Sequence, residues 1–272
     1  MMNHSINAPV SENHIPCADV KMPGHWLLAK MGKRVLRPGG LELTRALLKQ
    51  LKIQPGDSVI EFAPGLGVTA RMTLKRNPAS YKAIERDEIA AAKVRNFLCE
   101  PRQRCLIGVA EQTGLPGESA TVVYGEAMLT MQGPEQKRKI VAEAFRLLKP
   151  GGRYGIHELS LAPDELSDAI KNEISGALAH SIHVGARPLT AREWRELLEA
   201  VGFKVQSQSV APMRLLEPRR LIRDEGFWRA LRFIFNVART PEARRRVFDM
   251  RKIFRKYQNH LHAIALVAIK SG

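Results

Sequence analysis

Ser58-Val59-Ile60-Glu61-Phe62-Ala63-Pro64-Gly65-Leu66-Gly67 is the stretch whose reading decides the fold. Val59 to Phe62 is too apolar for a strand with one wet face, so it belongs inside a parallel sheet. A Pro/Gly loop follows, with a helix expected behind it from about Val68. Gly65 and Gly67 let the backbone turn sharply and let a ligand approach with no Cβ in the way. The helix offers its free N–H groups to that ligand. The next strand, Tyr81 to Glu85, ends in an acid where two ribose hydroxyls could be bound; capping of the following helix is the other role open to it.

Outward from this unit the chain alternates as α/β proteins do. Strands are expected at 58–62, 80–85, 104–109, 120–125, 153–159, 203–210 and from His262 to Ile269. Helices are expected at 67–77, 86–99, 134–148 and 190–201. The last begins with a capping box, Thr190 with Glu193. The expected fold is a Rossmann-like, seven-stranded, mostly parallel sheet with helices on both faces. The final strand inserts antiparallel. Residues 1–20 are polar and aperiodic and read as a mobile tail. Residues 21–56 form an N-terminal helical cap: a short amphipathic helix from Gly24 to Leu36, a turn at Arg37-Pro38-Gly39-Gly40, and a helix over 41–51 with Leu43, Leu47, Leu48 and Leu51 on one face. The core then comprises 57–211 and 260–272, interrupted by a basic helical insertion, 212–259.

The chain has 272 residues, 44% of them apolar, enough for one large domain with an elaboration. Cys17, Cys99 and Cys105 form no close pair or metal-ligand pattern, and no metal site is expected. There is no signal-peptide pattern and no apolar run long enough to span a bilayer, so a reducing, cytoplasmic setting is the expectation.

The net charge is +16, and residues 212–259 hold 14 Arg and Lys against 5 Asp and Glu, more than half of the excess. Within this insertion Thr240-Pro241 opens a helix. Its stripe is Ala243, Val247, Met250, Phe254, Tyr257 and Leu261. The helix before it, about Phe227 to Ala238, is apolar over most of its circumference and should pack against something. Four readings stay open: an ordinary solvated charged face, a lid over an acceptor pocket, a helix pair meeting anionic lipid in a weak peripheral contact, and a nucleic-acid surface. Against the last, no RNA-binding signature is present.

Glu61-Phe62-Ala63-Pro64-Gly65-Leu66-Gly67 resembles motif I of the class I S-adenosylmethionine-dependent methyltransferases, and Glu85 matches their ribose-binding acid. Gly108-Val109-Ala110-Glu111 with Leu115-Pro116, and Leu147-Leu148-Lys149-Pro150-Gly151-Gly152, fit in order. The chain is most similar to the UbiE/type-11 group of small-molecule methyltransferases. The resemblance implies S-adenosylmethionine as cofactor, S-adenosylhomocysteine as product, and transfer of a methyl group by in-line displacement. It implies a cofactor site of Glu61, Ala63, Gly65, Gly67 and Glu85, with Val109, Ala110 and Glu111 near the adenine. It also implies that the segment before the first strand closes the site, making His25 and Trp26 candidates for acceptor contact. The Asn/Asp-Pro-Pro-Tyr/Phe motif of enzymes that methylate base amino groups is replaced by Tyr-Gly-Glu-Ala at 124–127.

In this fold the acceptor lies beyond the C-terminal ends of the strands. Glu126, His157 and Glu158 are therefore the catalytic candidates, His157 as general base and the acids as its orienters, with Glu126 also near the cofactor. A histidine merely satisfied at its strand end is the alternative. His180 and His183, on a following helix, are further acceptor-contact candidates. Ala63 and Val109 depart from the family pattern. They leave open a non-catalytic protein of the same fold, and the basic insertion leaves open a peripheral membrane-binding protein or a methyltransferase of lipophilic acceptors at a membrane. Monomer and homodimer are equally compatible with the sequence.

Overall fold

The computed structural model describes residues 22–271; the tail expected at 1–20, with Cys17, lies outside the described residues. Two helices precede the sheet, α1 (Gly24–Lys30) and α2 (Gly40–Leu51). α1 is shorter than its sequence pattern suggests, because Met31 caps it and Gly32 takes φ +106°, which turns the chain away. α2 buries the expected leucine stripe.

Next come β1 (Ser58–Phe62), α3 (Val68–Leu74), β2 (Ser80–Glu85), α4 (Glu88–Arg95) and β3 (Gln103–Ile107). They are followed by β4 (Ala120–Glu126), α5 (Pro134–Leu147), β5 (Leu148–Leu161), α6 (Asp168–Ile182), β6 (Leu189–Thr190), α7 (Ala191–Glu199) and β7 (Phe203–Pro212). The chain ends with α8 (Pro218–Glu225), α9 (Phe227–Arg239), α10 (Pro241–Lys256) and β8 (Leu261–Lys270).

The sheet runs β3-β2-β1-β4-β5-β8-β7. β1 to β5 are parallel, and β8 lies antiparallel between β5 and β7. It has eight strands rather than the expected seven. The addition is β6, two residues paired with Ser160 and Leu161 of β5. It is too short to show a period of its own, and its Thr190 is also the α7 cap, where the capping box with Glu193 forms as read.

Both faces of the sheet are covered, which is why its central strands are continuous apolar runs. Ile60 and Phe62 of β1 share a cluster with Ile140 and Leu147 of α5 and with Trp194 of α7. Val59 shares another with Leu47 of α2 and Val94 of α4. A third cluster joins Leu28 of α1, Leu159 of β5, Leu178 of α6, Phe233 of α9, and Met250 and Phe254 of α10.

Two buried acids tie the insertion to the N-terminal helices. Asp224 Oδ1 accepts the Leu41 N–H at 3.0 Å. Glu225 Oε1 accepts the N–H groups of Arg34 and Val35 at 2.7 and 2.8 Å. Gly40 has φ +60°, and a Cβ there would lie 2.4 Å from Asp224, so only glycine admits this approach.

Candidate active site

The loops at the C-terminal ends of β1 to β4 open on one cavity of about 370 Å³. Ala63, Gly65, Glu85, Val109, Ala110, Glu111 and Glu126 all border it.

The loop after β1 is left-handed at Ala63 (φ +51°) and Gly65 (φ +54°). A Cβ on Gly65 would meet nothing within 4 Å, so the loop is open on that side. The Gly65 N–H donates to Glu85 Oε2 at 3.0 Å. Glu85 Oε1 accepts the N–H groups of Arg86 and Asp87 at 2.9 and 3.1 Å. The buried Glu85 carboxylate thus joins two loops at the cavity wall. Asp87, rather than Glu85, caps α4 by accepting the Ala90 N–H at 2.8 Å.

Two motif residues are not on the cavity wall. Gly67 (φ +70°) is glycine for packing, since a Cβ would sit 2.6 Å from the Phe97 ring. Glu61 is buried beneath the loop and accepts the hydroxyls of Tyr81 and of Tyr124, the latter at 2.7 Å. Burial raises its carboxyl, the two tyrosine hydroxyls oppose this only in part, and it rests at about 7.

Glu126 is the hub between the core and the N-terminal segment. Its oxygens accept Arg37 Nη1 at 2.9 Å, Thr44 Oγ1 at 2.7 Å, His157 Nδ1 at 2.7 Å, and the Thr69 hydroxyl. Burial would raise this carboxyl, but the Arg37 charge, His157 and Thr69 outweigh it and hold it at about 2. A carboxylate so engaged is no proton acceptor. His157 is fully buried and off the cavity wall. Its Nε2 lies 2.5 Å from the Pro38 carbonyl, so both ring nitrogens face oxygen acceptors and neither can take a substrate proton. His157 is a strut, the alternative its sequence left open. Glu158 is also a strut: it accepts the N–H groups of Met128, Leu129 and Thr130 and the Thr130 hydroxyl at 2.7–3.0 Å.

His25 and Trp26 of α1 line the cavity, their rings 5.2 Å apart. Burial, with the Arg86 charge, lowers the His25 pKa below 6.5, leaving a neutral imidazole near pH 7. His180 and His183 are exposed and off the cavity wall. Leu178 and Ile182 carry the cavity-facing side of α6, so His180 points elsewhere.

The half of the cavity away from the Gly loop is apolar. Leu28, Leu159, Leu178, Met213, Met250 and Phe254 line it, with Gln132 and Gln136 among the polar groups. Sequence reading did not place these residues, although the α10 stripe containing Met250 and Phe254 was legible. Arg37 also lines the cavity, and among the described residues its Nε and Nη2 find no acceptor.

A methyltransferase-domain family model matches residues 60–156, from β1 into β5. An uncharacterized protein of Haemophilus influenzae is 33% identical over 251 residues, covering 91% of this chain and 98% of that one. The methyltransferase phqN of Penicillium fellutanum is 28% identical over 170 residues, covering 58% of this chain and 49% of its own. Among solved structures, the Haemonchus contortus phosphoethanolamine N-methyltransferase 2, in complex with phosphomonomethylethanolamine and S-adenosylhomocysteine, superposes with a TM-score of 0.68. That likeness, at 16% identity over 92% of this chain and 58% of that one, is one of fold. Another structure of that enzyme holds S-adenosyl-L-methionine, the cofactor that a methyltransferase domain implies. With the cofactor-motif loop at the cavity mouth, residues 60–156 of the parallel core match the type-11 methyltransferase domain.

Proposed function

We propose that the protein transfers the methyl group of S-adenosylmethionine to a small, largely apolar acceptor. One observation carries this reading: a single cavity is walled on one side by the Gly65, Glu85 and Val109–Glu111 loops, and on the other by apolar side chains from α1, α6 and α10.

The residues fit the cofactor. Gly65 is open toward it, Glu85 presents a carboxylate suited to ribose hydroxyls, and Val109 to Glu111 form the wall for a flat base. The unpartnered N–H groups of Arg37 suit the carboxylate of its amino-acid arm. Bound there, S-adenosylmethionine supplies a methyl group already activated on a sulfonium, so the protein has chiefly to align the acceptor and exclude water. Trp26 and the apolar wall do the excluding. Where the acceptor carries a proton, neutral His25 takes it; this role passes to His25 because it lines the cavity and His157 does not. The apolar side would hold the acceptor in line with that methyl group, opposite the sulfur that would leave as the neutral thioether of S-adenosylhomocysteine.

The test is calorimetric titration with S-adenosylmethionine and S-adenosylhomocysteine, followed by incubation of methyl-labelled cofactor with a lipid-soluble cell extract. Both ligands are expected to bind. Glu85→Gln should weaken them about tenfold, through loss of charge-assisted hydrogen bonds. Label should enter an organic-soluble product. Absence of binding would refute the cofactor site, and label confined to water-soluble products would refute the apolar acceptor.

A further inference from the structure

α9 buries only Ala230, Phe233 and Val237. Phe227, Trp228, Leu231, Ile234 and Phe235 stand 59, 77, 49, 48 and 55% exposed. At about 100° per residue these five fill one continuous sector beside the buried face, and Arg239, Arg232 and Arg229 fill the next. The helix, apolar over most of its circumference, packs on one face and leaves a second apolar face open. Contiguous apolar surface of this kind marks a contact site.

The charges say what the contact is. Elsewhere in the same segment, cations are paired: Arg223 with Glu42, Arg251 and Arg255 with Glu217, Lys256 with Glu173. Among the described residues, no acid pairs with Arg229, Arg232, Arg239 or Arg245. Arg214, before α8, and Arg219, within it, have no acid partner among the described residues either, but Arg229, Arg232 and Arg239 stand directly beside the open aromatic sector. α10 repeats the combination, with Phe248 59% exposed and Arg245 and Lys252 one turn away on either side. Large aromatics and aliphatics flanked by free arginines are the composition of a helix lying in a lipid interface. α9 has 13 residues, too few to cross a bilayer. Its buried face belongs to the same apolar cluster as the cavity residues Leu28, Leu178, Met250 and Phe254.

We propose that the exposed face of α9 docks the protein on an anionic lipid bilayer, with its aromatic sector in the headgroup region and its arginines on acidic headgroups. This does not rest on the reading of the acceptor, and cofactor titration reports on that site separately.

The test is co-sedimentation of the full chain with phosphatidylcholine vesicles, with and without about one-third phosphatidylserine, over rising salt. Binding is expected to the anionic vesicles only and to fall as salt screens it. Trp228→Ser with Phe235→Ser should weaken it at least about tenfold, and Arg229→Ala with Arg232→Ala about as much. These side chains are exposed, so thermal melting and cofactor titration should not change. Equal binding to both vesicle types, no binding, or binding that the four substitutions leave intact would overturn the proposal. So would a dimer in sedimentation equilibrium that Trp228→Ser converts to monomer, which would give the face to a second copy of the chain.

Discussion

Glu126→Gln is the substitution that most directly tests the hub. The side chain is 5% exposed and accepts from Arg37, Thr44, Thr69 and His157. Its carboxyl is held at about 2 instead of 4.5. At about 1.4 kcal/mol per tenfold change, this gap corresponds to ~3 kcal/mol favouring the ionised form in the folded state at pH 7. Glutamine keeps the shape, removes the charge, and leaves Arg37 without its counter-ion; the expected cost is therefore ~3 kcal/mol. For a chain of this size that is a fall of roughly 6–12 °C in Tm. Because the folded carboxyl is depressed, its contribution is complete above about pH 4.5 and is lost as the pH falls toward 2. Urea unfolding of both proteins should show the ~3 kcal/mol gap at pH 7 and a clearly narrower one near pH 3.5. A gap under about 1 kcal/mol at pH 7, or one that does not narrow in acid, would refute the reasoning.

Two further substitutions examine the motif residues that are not on the cavity wall. Glu61 rests at about 7, so its folded form holds a proton that the unfolded chain gives up between pH 4.5 and 7, and wild-type stability should drop across that interval. Glu61→Gln removes the drop and should match wild type near pH 4 but exceed it by up to ~3 kcal/mol at pH 8; a gap in thermal melts that does not widen with pH would contradict this. Gly67→Ala adds a Cβ 2.6 Å from the Phe97 ring at φ +70° and should cost ~2–4 kcal/mol in urea unfolding. Phe97→Leu should recover part of that cost; no recovery would mean that the clash is not the cause.

The layout of the core was legible because each central strand is an unbroken apolar run and each covering helix carries a stripe. β1 and β2 occupy the expected residues, and β8 the expected place. The cofactor loops were legible because they are local: Ala63, Gly65, Glu85 and Glu111 each lie at or just past a strand end. Roles set by distant partners were not. His157 resembles a base at a strand tip until Glu126 and the Pro38 carbonyl, 31 and 119 positions away, are seen to take both its nitrogens. Glu158 gives no sign in sequence that it will collect three backbone N–H groups. α8, with the sequence PRRLIRDE, has too few apolar residues to show a period, yet its Asp224 and Glu225 anchor the N-terminal helices. For His180, Ile174, Leu178 and Ile182 at spacings of four already marked the inward side of α6.

The roof of the cavity comes from segments almost two hundred positions apart, and buried hydrogen bonds hold them together. Asp224 and Glu225 hold the N–H groups of Leu41, Arg34 and Val35. Lys33 lies fully buried, its Nζ 3.9 Å from Glu225, with burial lowering its pKa. Arg220 Nη1 donates to the Gly39 carbonyl at 3.1 Å, and Asn236 Nδ2 to that of Met31 at 2.9 Å. Pulling the insertion off the N-terminal helices without water to replace these partners orphans three backbone donors at ~1–3 kcal/mol each, before the buried lysine is counted. Even at the low end, a state with the two separated holds about one molecule in a hundred or fewer. The N-terminal segment and the insertion are therefore held together as one body, and α2 seats it on the sheet through Leu47 and Leu51. Glu126, bonded to Arg37 and Thr44 on one side and to Thr69 and His157 on the other, ties that body to the core beneath the cavity.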